Sequence, residues 1–505
     1  MRSTLVAACA VVLAGVVETA SAQPIQNVVL RNSFNPVGAG ARGLGMGGAF
    51  IAVADDGSAA SFNPAGLAQL RRTELTAVGF SYGLDSSLQI PAGNGTFDSR
   101  ETNTRHSRPE FFGVAIPFEL AGRNLTVQLS YQRSVDLFGK GQATVVDTID
   151  LSELDPSLKG TGDFIADVSP TQSGAFNTVS LSAGYQLTSR LAFGTTVNYW
   201  FAGWTAQGAS SFGFRARLAG GGRPIEIPLS DTTFSQQQSL HGLNVNAGLL
   251  LKYSWLSIGG VLRMPFTGSY GLVEDDKVVT YTDGKAGPAD RTTLNVTSTL
   301  HWPLTAGAGL ALRPFRGLTL AADYTHAQWS HAVIANVPAG ALLTPRQLAA
   351  DGTPQDAFFD RNFFDLEAAS LTTTHDTSAW RMGGEYLVVL KSLILPLRSG
   401  YFRDRSPIAE LGSDQGQQIT GWTLGSGLNF KHLVLDVAFE RQTSSAQLGL
   451  RLRRGVEIDT SNVTTENVRQ NRIVASLIYR FGGEEDPLKR AFRAIFVGPK
   501  EQDDH

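Results

Sequence analysis

Cysteine is nearly absent: Cys9 is the only one among 505 residues, and its place near the N-terminus leaves the remaining chain without disulfides or thiol chemistry. Long hydrophobic runs are missing too. After residue 22 no stretch of about 18 uncharged apolar residues occurs, which excludes a transmembrane helix there. Charge is sparse: 17% of residues are charged, against roughly 25% in ordinary soluble domains. Neither sign dominates, since 42 basic and 45 acidic residues give a formal net charge of −3. No basic face is thereby set aside for a nucleic acid. The eight histidines are scattered. His241 and His326 take the outward parity of their segments, His432 sits in a tight turn, and His106, His301, His331 and His375 lie in or beside predicted loops. Neither an H-E-x-x-H spacing nor a Ser/His pair with an orienting acid emerges, so no metal site, cofactor or catalytic centre is expected.

What is present begins with a leader. Arg2 precedes an apolar stretch over 5–17, and Ala20-Ser21-Ala22 has the small-x-small form of a cleavage site. Residues 1–22 therefore read as a signal peptide, with Gln23 as the first mature residue. Val6-Ala7-Ala8-Cys9 superficially resembles a lipoprotein site, but too few apolar residues precede Cys9, which reads as part of the leader.

Glycine is abundant, 54 residues against a usual share of ~7%. From about residue 73 onward, segments alternate apolar with small or polar side chains. Leu125, Val127, Leu129 and Tyr131 alternate with Thr126, Gln128 and Ser130; Leu433, Leu435, Val437 and Phe439 alternate with Val434, Asp436, Ala438 and Glu440. Successive side chains of a strand face opposite sides, so one set can meet lipid and the other a lumen. Connections alternate tight (187–191, 252–256, 313–317, 429–432) with long (135–174, 205–238, 268–303, 331–374). Aromatics recur near segment ends at Tyr82, Tyr131, Trp204, Trp255, Trp329, Tyr401 and Trp422, as interfacial girdles would require. The last segment ends on Phe481, resembling the signal read by barrel-insertion machinery. The fold class is thus all-β: an antiparallel transmembrane β-barrel of about fourteen strands over 73–481, starting near 73, 110, 124, 176, 190, 239, 256, 304, 318, 378, 392, 418, 432 and 471. Its partners would include outer-membrane lipid. The tail 482–505 reads as periplasmic, with a short amphipathic helix over 488–497.

Residues 23–72 do not alternate. The stretch 38–66 is too rich in glycine and alanine for a lipid-facing strand and too apolar for a solvated linker. An N-terminal hatch inside the barrel fits it. Asn63 is predicted to cap a short helix with Pro64 first and Ala65 next, and Asp56 or Ser58 to cap a turn at Ala59-Ala60. Gly43, Gly45, Gly47 and Gly48 formally match a dinucleotide fingerprint, but no buried strand precedes them and no βαβ pattern follows. Tight backbone packing explains them better.

The pattern from Gly43 to Leu67, with Asp323-Tyr324, Gln328-Trp329-Ser330, Leu397-Arg398-Ser399-Gly400-Tyr401 and Ser406-Pro407, resembles the long-chain fatty-acid transporter family of outer-membrane proteins, which includes aromatic-hydrocarbon carriers. The resemblance implies a fourteen-stranded barrel with an Asn-Pro-Ala hatch, here Asn63, Pro64 and Ala65. It also implies external capture of a hydrophobic small-molecule ligand, an apolar pocket above the hatch, and a lateral opening at the third strand, although 124–134 has no glycine or proline to mark a bend. Inward parity assigns Asp323, Arg381, Glu385, Arg398, Asp436 and Glu440 to the lumen, where buried charges need partners among themselves or in Arg42, Asp55 and Asp56. Leu342, Leu343, Phe358, Phe359, Phe363 and Phe364 form either an external docking groove or apolar packing on the barrel mouth. Passive, ligand-gated transport of hydrophobic molecules is the expectation. The alternative is a secretion- or assembly-associated barrel that binds a protein.

Overall fold

Alternation becomes pairing in the computed structural model, which describes residues 34–35, 37–89, 102–153, 155–338, 358–363, 374–391, 393–409, 416–449 and 463–482. Fourteen strands form the wall: β1 (Glu74–Gln89), β2 (Thr102–Leu120), β3 (Arg123–Asp136), β4 (Gly160–Gln186), β5 (Leu191–Leu218) and β6 (Ile225–Lys252). Three strands are interrupted. β7 comprises Leu256–Arg263 and Phe266–Thr282, broken at Met264-Pro265; β8 comprises Lys285–Trp302 and Thr305–Leu312, broken at Pro303; β9 comprises Leu318–Ala327 and Val333–Pro338, separated by a 3-10 turn at Trp329–His331. Proline cannot donate to a ladder, which accounts for the first two breaks. β10 (Thr377–Leu390), β11 (Leu393–Ala409), β12 (Gly416–Asn429), β13 (Leu433–Gly449) and β14 (Val463–Arg480) complete the wall. All neighbours are antiparallel, and β14 pairs with β1 from Glu74↔Arg480 to Gln89↔Thr465, closing the barrel and leaving it without an edge.

The outward set forms an apolar belt. Leu129, Leu181, Leu243, Leu249, Met382, Val437 and Ile473 are exposed, while their strand neighbours Thr126, Gln128, Ser182, Thr196 and Asp436 are buried. The girdle assignment splits. Trp255, Tyr401 and Trp422 are exposed on the outer wall, but Tyr82, Trp204 and Trp329 are buried, because their parity turns them inward; all three pack in the lumenal clusters. His106, expected beside a loop, is likewise a buried residue within β2.

Most predicted long loops are hairpins. β4, β5 and β6 run for 27, 28 and 28 residues, nearly three times the roughly 9–11 that cross a bilayer. The segments 205–238 and 268–303 are mainly strand, so several strands begin earlier than the apolar alternation suggests: 102, 160, 225 and 463. Polar strand ends lack a lipid-facing signature, yet their amides still require partners, and antiparallel extension supplies them. Beyond the belt, Ile149, Leu151, Leu158, Phe214, Ile227 and Leu229 form a separate small core, with the strand Ala143–Asp150 laid against β4. The 488–497 helix and the leader lie outside the described residues.

β3 carries a register shift between Arg133 and Val135 against β4. Below it the ladder is complete: residues 123–132 pair with β2, and 125–133 with β4. Beyond Phe111↔Gln132 no pairing joins β3 to β2 among the described residues, and Arg133, Val135 and Asp136 pair with β4 alone; at this bulge Leu137 turns into the lumenal core and Phe138 stacks on His106, centroids 4.0 Å apart.

Candidate functional site

The barrel interior is occupied by residues 37–72, whose sequence dictates short, tightly turned pieces. Helix α1 (Ala41–Gly45) ends at Gly47 and Gly48, with φ of +68° and +78°, a region where a side chain is strained. Asp56 Oδ1 accepts hydrogen bonds from the Ser58 N–H (2.9 Å) and the Ser58 hydroxyl (2.6 Å), leading into α2 (Ala59–Phe62). Asp56, rather than Ser58, thus organises this turn. Asn63 caps the 3-10 helix Pro64–Gln69: its Oδ1 accepts from Ala65 N–H at 3.1 Å. Its Nδ2 does more, donating to Ile51 O and, across the wall, to Leu249 O, both at 3.0 Å.

The wall is built to receive this backbone. Gly184, Gly194 and Gly248 are cross-strand neighbours on β4, β5 and β6, and a Cβ on each would lie within 2.7 Å of Leu67, 2.2 Å of Pro64 and 2.1 Å of Asn63. Gly259 and Gly309 pair beneath Ile51-Ala52, and Gly383 and Gly400 pair beneath Met46-Gly47. Gly45 of α1 meets Gly425 of β12. Glycine on both surfaces is what allows main chain to approach main chain, and this shelf accounts for part of the glycine excess. The sequence signal was there, because these wall glycines fall on inward parity, but alternation alone reads them as merely small. Inward polar groups complete the dock: Thr423 Oγ1 accepts from Gly47 N–H and donates to Gly45 O, both at 3.0 Å, and Asn124 Nδ2 donates to Ala68 O and Leu70 O at 2.8 Å.

The lumenal charges meet as a network. Arg42 binds Glu385 at 2.9 Å and also Asp55 and Asp56; Arg398 bridges Glu385 (2.7 Å) and Asp436 (2.6 Å); Arg381 binds Asp404 at 2.9 Å. Glu440 lies across from Arg472, which binds Glu110. Asp323 differs from the expectation that every lumenal charge meets an opposite one. Its Oδ2 accepts the backbone N–H groups of Phe50 (2.7 Å) and Ile51 (2.8 Å), so this carboxylate holds the segment directly.

Two cavities flank Val37. One is lined by charged and polar groups including Glu110, Arg133, Asp136 and Arg472. The other is lined by Phe34, Trp200, Trp302 and Trp329 together with Ser130, Thr178, Asn198 and Asn244. An amide relay fixes its wall: Asn198 Nδ2 and Trp200 Nε1 donate to Asn244 Oδ1 at 2.8 and 2.9 Å. Of the six apolar residues expected in the long loop, Phe363 is buried against Phe176, Trp204 and Trp302. Phe358 and Phe359 belong to the short strand Phe358–Asn362 paired with β9; Leu342, Leu343 and Phe364 lie outside the described residues.

No sequence-family model matches the chain, and no curated protein sequence does. Solved structures do. A Pseudomonas aeruginosa FadL homologue superposes with a TM-score of 0.56 at 14% identity, covering 89% of this chain and 99% of the other. The toluene transporter TodX of P. putida gives a TM-score of 0.50 at 15% identity, covering 88% and 99%. At such identity the likeness is one of architecture, and what it establishes is that this closed fourteen-stranded barrel has the FadL-type fold.

Proposed function

We propose that the chain is an outer-membrane channel for hydrophobic small molecules, in which residues 23–72 act as a hatch and passage is passive and gated by the ligand. The observation that carries this reading is the docked segment: a lumen closed by main-chain packing on a glycine shelf, beside a cavity partly lined by aromatic side chains. The neighbouring structures, one a toluene transporter, support it. An ion-selective pore would carry one dominant sign along its lumen, whereas the charges here are mixed in sign and most of them meet an opposite charge. Asn63, Pro64 and Ala65 are assigned the gating edge of the hatch, and Gly43, Gly45, Gly47 and Gly48 its close packing. Asp323, Arg381, Glu385, Arg398, Asp436 and Glu440 are assigned its anchorage. The leader 1–22 would direct export.

The test pairs conductance with uptake. In planar bilayers the intact protein should conduct poorly, and removal of 23–72 should raise conductance. Cells expressing it should take up a labelled long-chain fatty acid or an aromatic hydrocarbon faster than vector controls. A large steady conductance from the intact protein would indicate an open porin instead, and uptake equal to the vector control would favour the alternative of a barrel that serves a protein partner.

A further inference from the structure

β7 brings Arg263 into the aromatic cavity beside Asn246 of β6 and Thr305 of β8, its register partners. Its Nη2 donates to Ser61 O at 3.3 Å, and its Nη1 is buried with no hydrogen-bond partner. Five other arginines enclosed by the barrel each meet a carboxylate: Arg42 and Arg398 at Glu385, Arg381 at Asp404, Arg472 at Glu110, Arg480 at Glu74. Arg263 has none within ion-pair distance among the described residues, and the charged group acting on it is another cation, Arg381. An enclosed guanidinium offers five fixed donors and is unfavourable without an anion to receive them. Its planar fork matches a carboxylate.

The rest of the cavity narrows the class. Trp200, Trp302 and Trp329 line it together with hydroxyls and amides from Ser130, Thr178, Asn198 and Asn244. The amides already bond one another, but a bare alkyl chain or unsubstituted ring would return no hydrogen bond to the Ser130 and Thr178 hydroxyls or to the open Arg263 Nη1. A ring carrying a polar substituent avoids that loss. We infer that Arg263 receives the head group in this cavity, and that the cavity takes a hydroxylated aromatic carboxylate in preference to a plain hydrocarbon. This deepens the small-molecule channel reading and rests on it.

Equilibrium dialysis of the purified full-length protein in detergent, with labelled 4-hydroxybenzoate and its neutral analogue 4-hydroxybenzamide, tests the inference. The unmodified protein should bind the acid at least about tenfold more tightly than the amide. Arg263→Gln should bring that ratio close to one while still binding the amide, and Arg263→Lys should retain a preference for the acid. Equal binding of the two compounds by the unmodified protein overturns the inference, as does an unchanged ratio in Arg263→Gln. Heat-modifiable mobility establishes that each variant is folded; should Arg263→Gln fail to fold, the wild-type ratio and Arg263→Lys still decide, a lost preference in Arg263→Lys counting against a charge-based site. Parallel uptake of labelled toluene separates the two levels. Toluene uptake without acid preference overturns the head-group site and leaves the channel, whereas no uptake and no binding of any probe overturns both.

Discussion

Gly259 and Gly260 are consecutive residues of β7 that face opposite sides of the wall, and one methyl group on each makes opposite predictions. A Cβ at Gly259 would lie 2.5 Å from Ile51 O and 2.9 Å from Ile51 C, whereas at Gly260 it would meet nothing within 4 Å. The first distance falls roughly 1 Å short of ordinary contact. Ile51 cannot retreat freely, since its N–H is held by Asp323 at 2.8 Å and its carbonyl accepts from Asn63 at 3.0 Å. Overpacking by a methyl costs about 1–3 kcal/mol, and weakening these hydrogen bonds adds about 0.5–1.5 kcal/mol each. Gly259→Ala should therefore shift docking of the segment by about 2–6 kcal/mol while leaving the lipid-facing wall intact. The assay is single-channel recording at matched, heat-modifiable protein levels. Gly259→Ala should show frequent openings, and Gly260→Ala should match the unmodified protein. Indistinguishable traces from the two variants would refute the idea that close main-chain packing on the glycine shelf keeps the lumen closed.

Asn63→Ala removes one cap and two carbonyl partners, a local loss of about 2–4 kcal/mol, and should impair uptake of a labelled fatty acid with the barrel still folded. Asn63→Asp retains the acceptor but sets a carboxylate against two carbonyls, so it should be no better; unchanged uptake in both variants removes the gating role from this residue. Arg398→Met strands Asp436 and weakens the hold on Glu385, and should lower the temperature of the heat-modifiable transition by an amount reflecting about 3–5 kcal/mol. Adding Asp436→Asn should recover part of it, and no recovery would argue against the pairing. On the external part of β7, burial with Asp276 beside it pushes the Glu274 carboxyl up to about 7. A pKa raised from 4.5 means the hairpin is most stable below that value and loses stability as pH rises through about 7. Hydrogen exchange of 266–302, corrected for intrinsic rates, should therefore be faster at pH 8 than at pH 5, and Glu274→Gln should abolish the difference.

The membrane-crossing part of the fold was legible because lipid imposes a strict alternation, as in Leu433, Leu435 and Val437 against Asp436 and Ala438. The Asn63-Pro64 cap was legible for a local reason: a side-chain acceptor and a residue without an N–H belong together at a helix start. What lay beyond reach depended on which strands become neighbours. The run Ser210-Ser211-Phe212-Gly213 pairs with β4 and β6 without facing lipid, so it reads as loop. Trp204 and Trp329 look like girdle residues until parity and the bulged outer strands turn them into the lumen. Arg263 was unremarkable in sequence; its meaning rests on the absence of a carboxylate within ion-pair distance among the described residues, and an absence of that kind is visible only in three dimensions.

The lumen is divided in how it holds the segment, and the division decides where opening can start. Toward β10–β14, α1 is fixed by Arg42, Glu385, Arg398 and Asp436, where breaking one buried ion pair costs about 3–5 kcal/mol. Toward β3–β8, the 3-10 helix is held by neutral bonds such as Asn63 to Leu249 O and Asn124 to Ala68 O, each worth about 0.5–1.5 kcal/mol. Equal forces applied to both sides therefore release the neutral side first. That side borders the aromatic cavity through Ala60 and Ser61, so under the proposed channel reading a molecule entering the cavity would press on the weakly held edge while the ion pairs keep the rest of the segment seated. Substitutions at Gly259 and Asn63 act on this edge and should alter gating; substitution of Arg398 acts on the anchored side and should alter stability instead.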